Sequence, residues 1–247
     1  MFFVRFVRLQ VREGRESELW TYYEERVIPA LDATEGCLFA GLLRPWRGSD
    51  YQSLTIWQSA EHAHAYETKG HYHALLRGAE PYLSAATSWR VRLGSDPEET
   101  FDHERREIPP DEYTLGAGDG TESLAETHPS TYVRIVSIRV ADGRLDEFRS
   151  IYEETVLPVV KKQPGCRGVL LAEGLASRGE ILSISLWNRE EDAVRYELSG
   201  EFERLTHRLS GTFSPLRDWG MSLGAGSDDP LGGTAVEGYH FVTARRL

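Results

Sequence analysis

The chain has little sulfur, little positive charge and no long apolar run. Two cysteines and two methionines occur in 247 residues, too few for the disulfide framework of a small secreted domain. Cys37 and Cys166 each follow a glycine at the expected start of a strand and read as small buried hydrophobes; no cationic neighbour marks either as a reactive thiolate. An apolar stretch of about eighteen residues, the length that suggests a bilayer crossing, is absent. Met1 is followed at once by the strand-like Phe2-Phe3-Val4-Arg5-Phe6 rather than by a secretion signal, so the expectation is a cytoplasmic protein with no membrane partner. Lys and Arg number 28 against 39 Asp and Glu, a formal net charge of −11. With no basic run to neutralise phosphates, nucleic acid is not an expected partner.

What the chain does have is itself, twice. Val4-Arg5-Phe6 returns as Val133-Arg134-Ile135, Gly36-Cys37 as Gly165-Cys166, Leu54-Thr55-Ile56-Trp57 as Ile184-Ser185-Leu186-Trp187, and Trp89 as Trp219. A nearly constant offset over so much of the chain outranks any short motif. It implies two modules, 1–94 and 131–224, separated by an acidic, loop-like linker over 95–130 and followed by a Gly-rich tail, 225–247. In that tail Tyr239-His240-Phe241-Val242-Thr243-Ala244 reads as a final strand that could extend a sheet edge or reach a neighbouring chain in a homo-oligomer. A unit of about 95 residues buries a small fraction of its surface, so an open sheet face in one copy has reason to close on the other, a pseudo-dimer within one chain.

Each module opens with a strand apolar on both faces, such as Phe3, Val7, Leu9 and Val11 on one and Val4 and Phe6 on the other. A helix follows with Leu19, Tyr22, Tyr23, Val27 and Leu31 at helical spacing, matched by Phe148, Ile151, Tyr152, Val156 and Val159 or Val160. Pro29 and Pro158 predict a kink or break near its C-terminal end. A hairpin (37–44 and 51–57), a second helix through Ala63, Tyr66, Tyr72, Leu75 and Leu76, and a last strand over 89–93 complete the order β-α-β-β-α-β. That is the split βαβ, ferredoxin-like plan, α+β in class. Arg5 and Arg134 recur in phase with the apolar strand face and should be partly buried against a carboxylate, with Glu24, Glu25, Glu153 and Glu154 as candidates.

These residues carry a family resemblance. Arg26-Val27-Ile28-Pro29-Ala30-Leu31, Glu35-Gly36-Cys37, Leu54-Thr55-Ile56-Trp57 and Gln58-Ser59-Ala60-Glu61 together resemble the antibiotic biosynthesis monooxygenase (ABM) domain, as do Thr155-Val156-Leu157-Pro158, Gln163-Pro164-Gly165-Cys166 and Leu186-Trp187-Asn188-Arg189. The resemblance implies two ferredoxin-like (βαββαβ) modules packed sheet to sheet as an intrachain dimeric α+β barrel, each with a ligand cavity between sheet and helices. It also implies a cofactor-independent monooxygenase that oxidises a small aromatic or phenolic substrate with dioxygen, using neither metal nor flavin. Two alternatives stand beside it: a noncatalytic ligand-binding or stress-related protein, and a haem-binding or haem-degrading one.

In the quinone-forming members the resemblance points to an Asn and a Trp on the strand that ends the hairpin, a Tyr early in the second helix and an Arg late in it. Here Trp57 and Trp187 match the Trp, Ser53 and Ser183 stand at the Asn position, Ala63 and Ala193 at the Tyr, and Arg77 at the Arg, with His207 replacing it in the second copy. The expected catalytic set is therefore Trp57, Arg77, Tyr66 and His73, where Arg77 holds a phenolate and Tyr66 or His73 relays a proton. Ser53, Trp187, Ser183, Tyr196 and His207 are expected to bind substrate. A competing reading makes Trp57 and Trp187 core anchors beneath their helices. The haem-degrading branch would need an Asn, a Trp and a His where this chain has Val7 and Val136, Tyr66 and Tyr196, and Leu76 and Thr206; His207 lies one residue, about 100° of helix, from the ligand position. The pairs His62/His64 and His71/His73 are two apart and face different ways on a helix, so they read as a solvated face rather than a metal site.

Overall fold

The structure, a computed structural model, describes residues 2–45, 48–84, 110–118, 131–175, 179–214 and 234–247. These fall into two compact units: residues up to Glu112 with His240–Leu247, here module 1, and Tyr113 to Tyr239, module 2.

Module 1 starts with β1 (Phe3–Gln10) and a helical segment made of α1 (Glu16–Tyr22), a π turn (Tyr23–Val27) and α2 (Ile28–Asp32). The hairpin β2 (Cys37–Pro45) and β3 (Asp50–Trp57) follows, then α3 (Ala60–Thr68) and α4 (His71–Ala79). Strand β3 is central and antiparallel to both neighbours, with Phe3 opposite Trp57 on one side and Cys37 opposite Trp57 on the other. Strand β4 (Asp111–Gly118) leads into module 2, which repeats the plan: β5 (Tyr132–Arg139), α5 (Leu145–Ile151), a π turn (Tyr152–Val156), α6 (Leu157–Lys161), β6 (Cys166–Gly174), β7 (Glu180–Trp187), α7 (Glu190–Leu198) and α8 (Glu201–Leu209). Its strands run in the order β5-β7-β6-β4, all antiparallel, and Tyr132 and Cys166 flank Trp187 as Phe3 and Cys37 flank Trp57. Even the irregularity one residue into β2 recurs in β6. The final strand, β8 (Thr234–Arg246), counts with module 2 through Tyr239 and with module 1 from His240, where Leu247 donates its N–H to the Leu38 carbonyl and Phe241 meets Phe39 edge-on.

The expected α+β, ferredoxin-like class is what each module has. The strand expected over 89–93 and its counterpart near Trp219 lie outside the described residues, as does most of the linker. Where the linker was expected to be loop-like, Asp111–Gly118 is a strand. Its polar and apolar residues alternate, and Tyr113 and Leu115 are buried, the period of a half-buried strand. The kinks expected at Pro29 and Pro158 take the form of the two π turns. Proline has no N–H to return to the carbonyl four residues back. Just before it the ladder widens: Ile28 N–H bonds the Tyr23 carbonyl and Leu157 N–H the Tyr152 carbonyl, each five residues back. Gly70 and Gly200, at φ 77° in both cases, break the second helix in two, since the left-handed conformation there suits a residue without Cβ.

In module 1 the helix-facing side of the sheet, with Val7, Leu9, Tyr51 and Trp57, packs against Leu19, Tyr23, Leu31, Ala63, Tyr66 and Tyr72. Module 2 packs Val136, Ile138, Ile181 and Trp187 against Phe148, Tyr152, Val160, Ala193 and Tyr196. The other side of the first sheet (Val4, Phe6, Phe39, Leu43, Leu54, Ile56) is equally buried. No helix among the described residues is long and apolar enough to cross a membrane.

Candidate functional site

Each module holds a cavity between its sheet and its helices. In module 1 it measures about 60 Å³, room for several water-sized groups. Its walls come from β1, the first helix with its π turn, β3 and the α3–α4 pair. Five aromatic residues, Tyr22, Tyr23, Trp57, Tyr66 and Tyr72, line it together with aliphatic side chains, and among the described residues its polar lining comes from Arg5, Ser53, Thr55 and the tyrosine hydroxyls. In module 2 the cavity is about 40 Å³, between Arg134, Tyr152, Ser183, Ser185, Tyr196 and Phe202 and a mostly aliphatic remainder.

The polar groups are arranged alike in both. Tyr23, carried inward by the π turn, lies 2.9 Å from Ser53 Oγ and donates to the Gly41 carbonyl at 3.1 Å; Tyr152 lies 2.7 Å from Ser183 Oγ. Trp57 donates its indole N–H to Thr55 Oγ1, and Trp187 to Ser185 Oγ, each at 2.9 Å. Because indole has a single donor, neither tryptophan has one left for a ligand. The tryptophans in turn pack on the tyrosines of the second helix, Trp57 on Tyr66 with centroids 5.2 Å apart and Trp187 on Tyr196 at 5.4 Å. Burial raises the pKa of Tyr23, Tyr66 and Tyr152 well above the ordinary phenol value, and pushes that of Tyr196 up to about 12. At neutral pH these are neutral hydroxyls, able to donate and unfit as bases.

The arginines of the first strand are the charged groups of the two cavities. Arg5 is 3% exposed and commits its guanidinium on all three nitrogens: Nε and Nη2 to Glu112, Nη2 also to Glu67, and Nη1 to the Ala63 carbonyl. Arg134, equally buried, gives Nε to Glu197 at 2.5 Å and lies with its guanidinium carbon 4.1 Å from the centre of the Phe202 ring. Its Nη2 is buried without a hydrogen-bond partner among the described residues. Expected partners Glu24, Glu25, Glu153 and Glu154 are instead on the first helices, Glu24, Glu25, Glu153 and Glu154 all being exposed. A signal for the true ones was present, since Glu67 and Glu197 recur one helical turn after Ala63 and Ala193.

Of the expected site residues, Trp57, Tyr66 and Ser53 line the first cavity and Ser183 and Tyr196 the second. The others are elsewhere. Arg77 is exposed, because the buried face of α4 runs through Tyr72, Leu76 and Ala79 and the residue after Leu76 turns outward. His207 is exposed for the same reason beside Leu205, Thr206 and Leu209 of α8. His73 is half-buried, meets Tyr72 edge-on, and does not line the cavity. Trp187 is fully buried behind Tyr196 rather than in the cavity wall. Sequence reasoning passed over Tyr23 and Tyr152 as site residues and treated Arg5 and Arg134 as structural. Their recurrence was visible, but the cavity they face was not.

Tyr22 is a module 1 feature. It donates to the Leu75 carbonyl at 2.9 Å, closing one side of the cavity. Gly78 permits this, since a Cβ there would come within 2.0 Å of the Tyr22 hydroxyl. Module 2 has Ile151 and Arg208 at the two positions. The histidines of α3 and α4 serve local contacts: His62 with Ser59, His64 with Glu112, His71 with the edge of Tyr66. Among the described residues no three His, Cys, Asp or Glu side chains cluster to hold a metal ion. Among the described residues neither Cys37, which is buried, nor Cys166, which is half-buried, forms a disulfide; burial pushes the Cys37 thiol up to about 12, away from thiolate chemistry.

Two ferredoxin-like α+β modules, each with an aromatic cavity between sheet and helices, define the class of protein. The family follows from the sequence match: residues 2–77 and 131–208 both fit the antibiotic biosynthesis monooxygenase model, and the chain belongs to that family. No curated protein matches it in sequence. Among solved structures it is similar to a candidate monooxygenase from Fusobacterium nucleatum subsp. nucleatum (8% identity, 99% of this chain and 94% of that one, TM-score 0.69). A candidate monooxygenase from Lactobacillus acidophilus NCFM is also similar (10% identity, 99% and 96% covered, TM-score 0.66), as is an anthrone oxidase-like protein (13% identity, 99% and 93% covered, TM-score 0.62). At these identities the likeness is one of fold.

Proposed function

We propose that the protein binds a small hydroxylated aromatic molecule in the module 1 cavity and acts on it as a cofactor-independent oxygenase. The observation that carries this reading is the composition of that cavity: a wall of Trp57, Tyr66, Tyr72, Tyr22 and Tyr23 around a few hydroxyls and one guanidinium. Aromatic walls suit a flat ring, and a small number of placed donors orients it. Ser53, Thr55 and the Tyr23 hydroxyl are the groups a substrate oxygen would meet, together with the Arg5 guanidinium.

A reaction of this type balances when one ring methylene and one dioxygen give one ring carbonyl and one water, whereas a hydroquinone and one dioxygen balance as a quinone and hydrogen peroxide; the methylene case is the oxygenation. The substrate carbon loses two hydrogens, one oxygen atom enters the carbonyl, and the other leaves as water. It begins with loss of a proton to give an enolate or phenolate that can pass electrons to dioxygen. Among the described residues no carboxylate or imidazole lines the cavity, and burial raises the pKa of Tyr22, Tyr23 and Tyr66, which keeps them neutral. Substrates are therefore restricted to those acidic enough to ionise without a facing base, as an anthrone or a hydroquinone is, with hydroxyl and guanidinium donors stabilising the anion.

One observation favours a second reading, binding without turnover. Arg5 is already engaged by two carboxylates, and an added anion would share the site with both. A haem-handling reading has no imidazole to rest on among the described residues that line either cavity. Incubation with a panel of anthrones and hydroquinones under dioxygen, alongside calorimetric titration of the same compounds, separates the first two. Oxygen uptake above buffer that falls when Tyr66 is replaced by Phe or Leu supports the oxygenase; heat of binding without uptake supports the binding module; neither effect with any compound removes both.

A further inference from the structure

Arg5 and Arg134 occupy equivalent places and are equally buried, yet they are not equally satisfied. Arg5 has two carboxylates, Glu67 and Glu112. Among the described residues Arg134 has one, Glu197, which is itself 39% exposed in its side chain. The sequence accounts for the difference: Glu67 has its counterpart in Glu197, whereas Glu112 belongs to β4, outside the repeat. The result is a buried guanidinium nitrogen, Arg134 Nη2, with no hydrogen-bond partner among the described residues, on a side chain that lines the module 2 cavity. A buried charged donor is costly to leave unpaired, and an acceptor arriving there regains that cost.

We propose that module 2 is a binding site for a small carboxylate with a flat apolar body, whose carboxylate takes on Arg134 the place that Glu112 takes on Arg5. The chemistry of the walls sets the ligand class. Arg134 supplies the charge-assisted donor, and Ser183 and Ser185 line the same cavity with hydroxyls. Phe202 and Tyr196 offer ring faces, and the remainder, such as Val136 and Ile138, is aliphatic. An anion suits this cavity better than the first, because one partly exposed carboxylate already near Arg134 repels it less than the two on Arg5. The site is independent of any oxygen chemistry in module 1 and stands or falls separately from it.

The test is calorimetric titration of the full chain with benzoate, and with benzyl alcohol as the neutral control. Benzoate is expected to bind and benzyl alcohol to bind more weakly by about tenfold or more, the ratio that one hydrogen bond to a charged group confers. Arg134→Met should weaken benzoate by a similar factor, and Arg208→Met, at an exposed position of α8 that does not line the cavity, should leave it unchanged. Because Arg134→Met could also loosen the module, anomalous diffraction from crystals of the unaltered protein with 4-bromobenzoate locates the ligand independently: bromine in the module 2 cavity with the carboxylate on Nη2 supports the site. No heat with benzoate at millimolar concentration, an undiminished affinity in Arg134→Met, or bromine found elsewhere overturns it.

Discussion

Module 1 and module 2 share a frame and differ in what the frame encloses. The same tyrosine meets a serine across the π turn, the same tryptophan donates to a hydroxyl two residues back, and the same tyrosine of the second helix covers that tryptophan. Around this frame the fillings diverge. Where module 1 has Leu19 and Ala79, module 2 has Phe148 and Leu209, and Phe148 stacks on Tyr152 with centroids 5.8 Å apart. The second cavity is smaller accordingly, about 40 Å³ against about 60 Å³. The shared groups are those whose partners lie within the module, so both copies need them to fold; the differing groups touch the space a ligand would take.

The largest expected effect tests the shared frame. Trp57→Ala and Trp187→Ala should each cost about 3–5 kcal/mol of stability, the range for removing a buried large aromatic side chain, read from the urea midpoint at constant slope. A much smaller loss for Trp57, the one that faces a cavity, would make it a cavity wall rather than an anchor and break the equivalence.

Next come the arginines. Arg5→Met strands two partly buried carboxylates and should cost about 3 kcal/mol, while Arg134→Met, with one more exposed partner, should cost about 1 kcal/mol. Equal losses in thermal or denaturant unfolding would mean that Glu112 contributes nothing to the Arg5 site.

Exchanging the fillings sharpens the contrast further. Leu19→Phe, which copies module 2, should cost about 1–3 kcal/mol by overpacking and reduce or abolish binding of hydroxyaromatics and any oxygen uptake. Phe148→Leu should open the second cavity at a similar cost. If hydroxyaromatic binding survives Leu19→Phe, the module 1 cavity is not where the ligand sits.

The last effect is absent at neutral pH and appears only in alkali. A tyrosine in the unfolded chain ionises at a pH of about 10, whereas Tyr196 in the folded protein does so at about 12 and Tyr23, Tyr66 and Tyr152 are also raised. Below the unfolded value both states are protonated and stability is unaffected. Between the two values only the unfolded state has lost its proton, so stability falls as pH rises, by up to about 1.4 kcal/mol per pH unit for each such tyrosine. Ultraviolet absorbance titration of the phenols combined with unfolding measurements reads this directly; ordinary titration of all of them without unfolding would show that water reaches them.

Much of the frame was legible before the structure. The doubled Trp57/Trp187, the glycines before the cysteines and the prolines in both first helices gave the modules, their order and the place of the kink, because periodicity and backbone chemistry act locally. Legibility ended where function begins. Arg77 matched the family's Arg position and His207 replaced that Arg in the second copy, but one residue of helical phase, about 100°, carries each away from the cavity. The first-strand arginines looked structural because their carboxylates lie 62, 107 and 63 residues away in the chain, at separations that no local pattern reports.

By itself the sequence determined that this chain is a duplicated, acidic α+β protein with ferredoxin-like modules of the ABM kind, since repeats, turn residues and alternation are properties of neighbouring residues. Only the tertiary structure decided which side chains share a cavity, that Arg5 has two carboxylates where Arg134 has a buried nitrogen without a partner among the described residues, and that Leu19 leaves room where Phe148 fills it. Those are facts about volume and hydrogen-bond geometry between distant segments, and they exist only once the sheet and helices have closed on one another.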